Sequence, residues 1–226
     1  MISHKLKIIF IHIPKCAGSS IKDFYFDKPS YDWKTPDYEC LYGWCPERKI
    51  HMQHATPKQL IETGLITIED WNRYFKFTFV RNPWDRAYSD YLWLKKDRRV
   101  SGSFKSYILK KGQFQDVLNN NNTMNYRGDH LIAQSEFAND QQYPLDFIGK
   151  FENLKADIKS INNQLDIHSE FTKHSKQNKQ KLSHYSKFYT NSNMKLVQSL
   201  YSEDIKQFNY RFEDQRSGIH KLKTFL

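Results

Sequence analysis

The chain has 226 residues, enough for one α/β domain with a sizeable core. Its 35 lysines and arginines outnumber 25 acidic residues, and the formal net charge of +10 suits an anionic ligand or a polyanion. The 15% aromatic content argues against disorder, no helix-turn-helix, zinc-finger or RNA-binding signature is present, and no apolar run reaches the ~18 residues of a membrane helix.

Residues 1–6 are short and polar and hold no signal-peptide core. Lys7 to Phe24 then reads KIIFIHIPKCAGSSIKDF. Ile8, Ile9, Phe10, Ile11 and Ile13 form an apolar, β-branched run that predicts a buried strand. Pro14 ends it, and Lys15 to Ser20 is a turn of small residues. Ile21, Phe24 and Tyr25 follow at helical spacing. A strand, a tight turn and a helix aim backbone N–H groups and the positive helix end at one point, where a phosphate or sulfate belongs. The turn is not the nucleotide P-loop, which carries two glycines and a late lysine. Here Lys15 comes early and Gly18 is the only glycine; an ordinary turn with a surface lysine is the plainer alternative.

Three cysteines, an odd number, do not suggest a disulfide framework. Cys40 and Cys45 are close enough to pair locally, but C-x4-C supplies too few ligands for zinc. Cys16 reads as a small packing residue in the anion turn. Residues 27–50 are irregular, with Tyr31, Trp33, Tyr38, Tyr42 and Trp44 as either a satellite apolar cluster or a stacking platform for a sugar. Thr56 then predicts an N-cap, with Pro57 at the first helical position, Leu60, Ile61 and Leu65 on the buried face, and Gly64 as the stop. His54 lies just before that helix, whose positive end keeps an imidazole neutral and able to accept a proton. His51 is the alternative base, and two solvent-exposed loop histidines are the plainer reading of both.

Phe75 to Lys96 reads FKFTFVRNPWDRAYSDYLWLKK. Phe75, Phe77 and Phe79 alternate with Lys76 and Thr78, a strand signal. Arg81 sits at the strand's carboxyl end, where α/β sheets bind ligands. Asn82-Pro83 makes a turn, Asp85 is a candidate cap, and Tyr88, Tyr91 and Leu92 recur at helical spacing. Arg81 and Ser89, brought together by such a turn, can clamp a phosphate dianion. The alternative makes Arg81 and Arg86 structural ion-pair partners.

From 97 to 112 the chain is basic, with Phe104, Tyr107 and Ile108 on one face of a short helix. Asn119 to Asn122 is a loop or helix end. His130 to Gln134 is a further polar segment. Leu145, Phe147 and Ile148 predict a short strand, with Glu152 structural and Asn153 capping a helix over 155–165. Residues 168–190 are basic and hydroxylated. A final helix is expected over 192–208, with Leu196, Leu200 and Ile205 inward, and then a tail.

The run Pro14-Lys15-Cys16-Ala17-Gly18-Ser19-Ser20 resembles the phosphosulfate loop of sulfotransferases that use 3′-phosphoadenosine 5′-phosphosulfate (PAPS). Val80, Arg81, Asn82, Pro83, Arg86 and Ser89 match the family's V-R-[ND]-P-x-x-R-x-x-S site for the 3′-phosphate. His54-Ala55-Thr56 is similar to a segment of carbohydrate sulfotransferases of the heparan 2-O-sulfotransferase type and their bacterial relatives. His130 and Gln134 resemble an H-x-x-x-Q stretch before the acceptor region, and residues 204–212 match the family's closing D-I-x-x-F-x-Y-x-F. The resemblance implies a single α/β domain over 1–226, with a core of about 7–212 and a tail of 213–226. A central parallel sheet flanked by helices, as in nucleotide kinases, goes with it.

For the site, the resemblance implies that Lys15, Cys16, Ala17, Gly18, Ser19 and Ser20 hold the phosphosulfate, and that Arg81 and Ser89 hold the 3′-phosphate. Lys181, Ser183 and Tyr185 are candidates from a loop that closes over PAPS. His54, or else His51, is the base and Lys15 stabilises the leaving phosphate. No metal, nucleic acid or membrane insertion is implied, and the acceptor is a carbohydrate or glycoconjugate hydroxyl. Many animal relatives are Golgi enzymes with an N-terminal anchor. This chain begins at a methionine close to its first strand, so the expectation is a cytoplasmic protein, or a Golgi-lumenal one if trimmed. A P-loop-type kinase and a non-catalytic binder of polyanions or nucleic acid are the rival readings.

Overall fold

The computed structural model describes residues 1–26, 32–172 and 182–225. Its central sheet starts from the expected apolar run. Ile8, Ile9, Phe10 and Ile11 are each at most 1% exposed, so the strand is covered on both faces. This is β2 (Ile8–Ile11). Ahead of it β1 (Ile2–Ser3) pairs antiparallel, Ile2 opposite Ile9. A separate ribbon is made by β3 (Trp44–Cys45) and β4 (Ile50–His51). Parallel to β2 runs β5 (Phe75–Val80), with Ile11 opposite Thr78, and parallel to β5 runs β6 (Phe147–Lys150). The order β1-β2-β5-β6 makes a mostly parallel sheet with one antiparallel edge strand, which the expectation of a parallel sheet lacked. Thr78 donates its hydroxyl to the Ile11 carbonyl and pins the register where the ligand-binding end begins.

Helices flank this sheet in a single α/β domain. They are α1 (Gly18–Tyr25), α2 (Pro57–Glu62), α3 (Ile68–Arg73), α4 (Pro83–Asp97), α5 (Phe104–Ile108), α6 (Phe114–Asn119), α7 (Gln134–Ala138), α8 (Leu154–Gln164), α9 (Asn191–Leu200) and α10 (Ser202–Gln207). One core packs β2, β5 and α1 with α2 and α8. A second, aromatic core lies among α4, α5, α6 and α9, and centres on Tyr107, Phe114 and Tyr189. The α2 cap is as expected, and Thr56 and Gln59 complete a capping box. Among the described residues, no helix is long and apolar enough to cross a membrane.

Three local expectations are corrected. The α4 cap is Asn82, whose side chain accepts from Trp84 N, because Asp85 lies inside the helix and is held by Arg81. Asn153 precedes α8 but makes no capping bond, since a 3-10 turn over Phe151–Asn153 leads into the helix. The helix expected over 192–208 breaks at Tyr201, whose ring turns inward and whose hydroxyl donates to the Leu131 carbonyl. The break leaves Leu200 45% exposed and puts Val197 in the core instead. Residues on either side of 7–212 also touch this body. Met1 is buried with its amino group donating to the Phe10 carbonyl, and Glu213 N donates to the Tyr185 hydroxyl.

Candidate active site

The chain leaves β2 through Pro14 and turns sharply into α1. Lys15 and Ala17 both take left-handed backbone, at φ 69° and 67°. Ala17 is the N-cap position of α1, and its methyl group can accept nothing, so no side chain caps the helix. The strand, the turn and the uncapped helix start together form the local geometry from which the sequence reading expects an anion. Gly18 is required by close approach: a Cβ there would lie 1.6 Å from His12 Nε2. Ser19 is exposed and Ser20 is buried. The Lys15 ammonium sits 4.9 Å from the Trp93 ring. Burial pushes its pKa down to about 8, with Asp90 opposing and Arg81 adding to the shift. Cys16 is buried, and its thiol meets Gln134 Oε1 at 3.4 Å. Burial pushes that thiol up to about 12, which keeps it protonated and poorly reactive.

Arg81 leaves the carboxyl end of β5 and reaches back to this turn, where Nη1 donates to the Lys15 carbonyl at 2.8 Å. Nε and Nη2 donate to Asp85 Oδ2 at 3.0 and 2.6 Å, and the guanidinium lies 4.0 Å over the Phe151 ring. Arg81 is thus a junction as well as a candidate clamp. Asp85 and Ser89 follow it at four-residue steps and share one face of α4. Ser89 is half-buried, and its hydroxyl has no hydrogen bond among the described residues. Arg86, expected as a phosphate-side residue or an ion-pair partner, donates instead to the carbonyls of Pro14, His130 and Ile132. It ties the turn after β2 to the segment before α7.

Gln134 locks the two halves together. Its Oε1 accepts from Arg81 N, and its Nε2 donates to the Arg81 carbonyl at 2.9 Å. Asp204, fully buried on α10, accepts from Gln134 N and Ser135 N and so caps α7.

The histidines gather beside the turn. The His54 ring is 4.5 Å from that of His12 and 5.2 Å from that of His130. His54 Nδ1 faces the His12 carbonyl at 3.1 Å, so Nδ1 carries the proton and Nε2 keeps a free lone pair. Burial, and then His12 and His130, hold the imidazole well below its usual range. The expectation of a neutral His54 had rested on the α2 N-terminus; burial is the larger cause. His51 is buried on β4, and its Nε2 lies 2.7 Å from Arg127 Nη1, which can only donate. The same nitrogen lies 3.1 Å from the Tyr126 carbonyl, which can only accept, so Nε2 is held between the two, and burial pushes the His51 pKa down to about 3. His130 Nδ1 bonds Asp90 Oδ1 at 2.6 Å, and its ring stacks on Trp93 at 4.8 Å.

Of the later candidates, Lys181 lies outside the described residues. Ser183 is exposed, and its hydroxyl accepts from Lys187. Tyr185 belongs to the aromatic core rather than to an open phosphate site. Its hydroxyl accepts from Asn82 Nδ2 and Glu213 N, which ties the Asn82-Pro83 turn to the chain's last segment. Trp44 is buried, whereas Trp33 stays partly open, with Arg98 and Arg127 each 5.0 Å from its ring. Cys40 and Cys45 are both free thiols.

The sequence reading passed over His12, Asp90 and Asp129. His12 is the one polar residue inside IIFIHIP, just past the end of β2, and that position was a usable signal. Asp90 and Asp129 carry none, because only folding brings them to the histidines.

A family model described as a sulfotransferase family matches residues 1–211. Among curated proteins, an uncharacterized protein of Archaeoglobus fulgidus is 29% identical over 98 residues, which is 43% of this chain and 72% of that protein. No solved structure matches.

Proposed function

The chain belongs to the sulfotransferase family, and from that membership we propose that it moves the sulfuryl group of PAPS to a hydroxyl of a carbohydrate acceptor. The observation that carries this reading is the meeting of two distant motifs, the Arg81 guanidinium donating to the Lys15 carbonyl. The turn over residues 15–20 and the start of α1 receive the 5′-phosphosulfate, with Ser19 and Ser20 beside it. Arg81, shared with Asp85, and Ser89 receive the 3′-phosphate.

The acceptor hydroxyl gives its proton to His54 Nε2 as its oxygen attacks sulfur in line. The bond from sulfur to the 5′-phosphate oxygen breaks, and its electron pair leaves on the phosphate. Lys15 meets that growing charge, an electrostatic role of the oxyanion-hole kind. His54 is favoured over His51 because its Nε2 meets no hydrogen-bond partner among the described residues, whereas His51 Nε2 is held between Arg127 and the Tyr126 carbonyl. Trp33, partly open between two arginines, supports a sugar ring and an acidic polysaccharide as acceptor.

Transfer of labelled sulfate from PAPS to a panel of polysaccharides tests the reading. His54→Gln should lower the rate ~10²–10⁴-fold while leaving binding of the product nucleotide intact. Full activity in that variant would remove His54 from the mechanism.

A further inference from the structure

We propose that His54, Asp129 and His130 form a binding site for a divalent transition-metal ion, zinc above all, and that occupancy of this site switches the enzyme off. One ligand atom from each residue lies within 4.8 Å of the other two. They come from two distant parts of the chain: His54 from the turn before α2, and the neighbours Asp129 and His130 from the 3-10 turn over Gly128–Leu131.

Three observations go beyond proximity. Asp129 is 6% exposed, yet among the described residues neither of its carboxylate oxygens has a well-formed hydrogen bond; the His130 backbone N–H lies near but out of good geometry. A buried carboxylate in that state is costly. A bound cation is the partner such a group lacks. Second, each histidine has its other ring nitrogen anchored. Nδ1 of His54 faces the His12 carbonyl, and Nδ1 of His130 faces the Asp90 carboxylate at 2.6 Å. Those are the outer partners that orient metal-binding imidazoles, a backbone carbonyl on one and a carboxylate on the other, and they leave Nε2 on each ring for the ion. Third, the anchors are themselves fixed. Asp90 also accepts from the Tyr107 hydroxyl at 2.8 Å, and the His130 ring stacks on Trp93.

Two imidazoles and one carboxylate suit zinc and its first-row neighbours, with a fourth position left for water. Metal binding and base catalysis then exclude each other, because both need the Nε2 lone pair of His54. That second half rests on the sulfotransferase reading; the binding half does not.

The test uses untagged, chelator-stripped full-length protein titrated with Co²⁺, followed by its visible absorption, and with Zn²⁺ by calorimetry. One equivalent should bind. Asp129→Asn and His54→Gln should each weaken binding at least ~10-fold, Asp90→Asn should weaken it ~10–100-fold through its hold on His130, and His168→Gln, on the exposed surface, should change nothing. His54 is partly open, so its variant keeps the test usable if a buried variant does not fold. No binding to the folded wild type, or binding that survives both ligand variants, would overturn the site. Zn²⁺ should abolish sulfuryl transfer without weakening binding of the product nucleotide, and transfer unchanged at one equivalent would overturn the regulatory half. Metal binding in a protein that fails to bind the nucleotide at all would count against the sulfotransferase mechanism and leave the metal site standing.

Discussion

The Arg81 guanidinium donates to the Lys15 carbonyl at 2.8 Å, across 66 residues of sequence. One ends a central strand and the other begins the anion turn of its neighbour. Parallel pairing of β2 with β5 puts both at the same end of the sheet, which is where open α/β sheets bind ligands. Arg81 is also fastened by Asp85 and by the two amide bonds of Gln134. Its replacement therefore has a structural and a ligand-binding consequence, and the two can be separated.

Arg81→Ala should destabilise the fold by about 3–5 kcal/mol, because it breaks a largely buried ion pair by removing one partner. Arg81→Ala with Asp85→Ala should recover most of that loss. Urea unfolding of the two variants checks this. Equal stability of single and double variants would mean that the pair is not coupled.

Gly18→Ala should cost about 1–3 kcal/mol, because the added methyl meets the His12 ring. Sulfuryl transfer should fall further than nucleotide affinity, since the His12 carbonyl holds His54 Nδ1. Thermal melts and rate measurements on one preparation check both parts. An unchanged melting temperature would contradict the close approach.

Lys15 predicts a pH dependence of nucleotide binding. Its folded pKa of about 8 lies below the ordinary lysine value of 10.5, mainly through burial. The nucleotide's phosphates favour the charged form, so affinity should be level below about pH 8 and then fall, at most ~10-fold per pH unit. Phosphate groups have finished titrating by then, their second pKa being about 6. Calorimetric titrations from about pH 7 to about pH 9.5 read this out, with Lys15→Arg as the flat control. For the free protein the sign is opposite. Between the folded and unfolded values the unfolded chain holds more protons, so this lysine's penalty on stability fades as pH rises.

Asp204→Ala should cost about 3 kcal/mol, because the buried carboxylate accepts from Gln134 and Ser135 at the start of α7. Hydrogen exchange should rise first in α7 and at Arg81, which depends on Gln134. Uniform exchange across the chain would contradict this local role.

The two strand–turn–helix units were legible in the sequence because their signals are local. An apolar run, a proline, small residues and a helical repeat all lie within a few turns of chain. The Thr56 cap was legible for the same reason. Asp85 was misread because a carboxylate near a helix start looks like a cap until Arg81 is placed beside it. The break at Tyr201 carries no proline or glycine; a tertiary contact with Leu131 sets it. The histidine cluster draws on residues 12, 54 and 130, and no spacing in the sequence announces such a meeting.

The central claim is that the Lys15–Ser20 turn and Arg81 together bind the donor nucleotide. Calorimetric titration with 3′-phosphoadenosine 5′-phosphate, against wild type and the Arg81→Ala, Asp85→Ala double variant, tests it most directly, with ATP as the competitor control. Tight binding by the wild type, weakened at least ~10-fold in the folded double variant and not matched by ATP, is the predicted result. A folded wild type that does not bind the bisphosphate, or a double variant that binds it as well, would contradict the account.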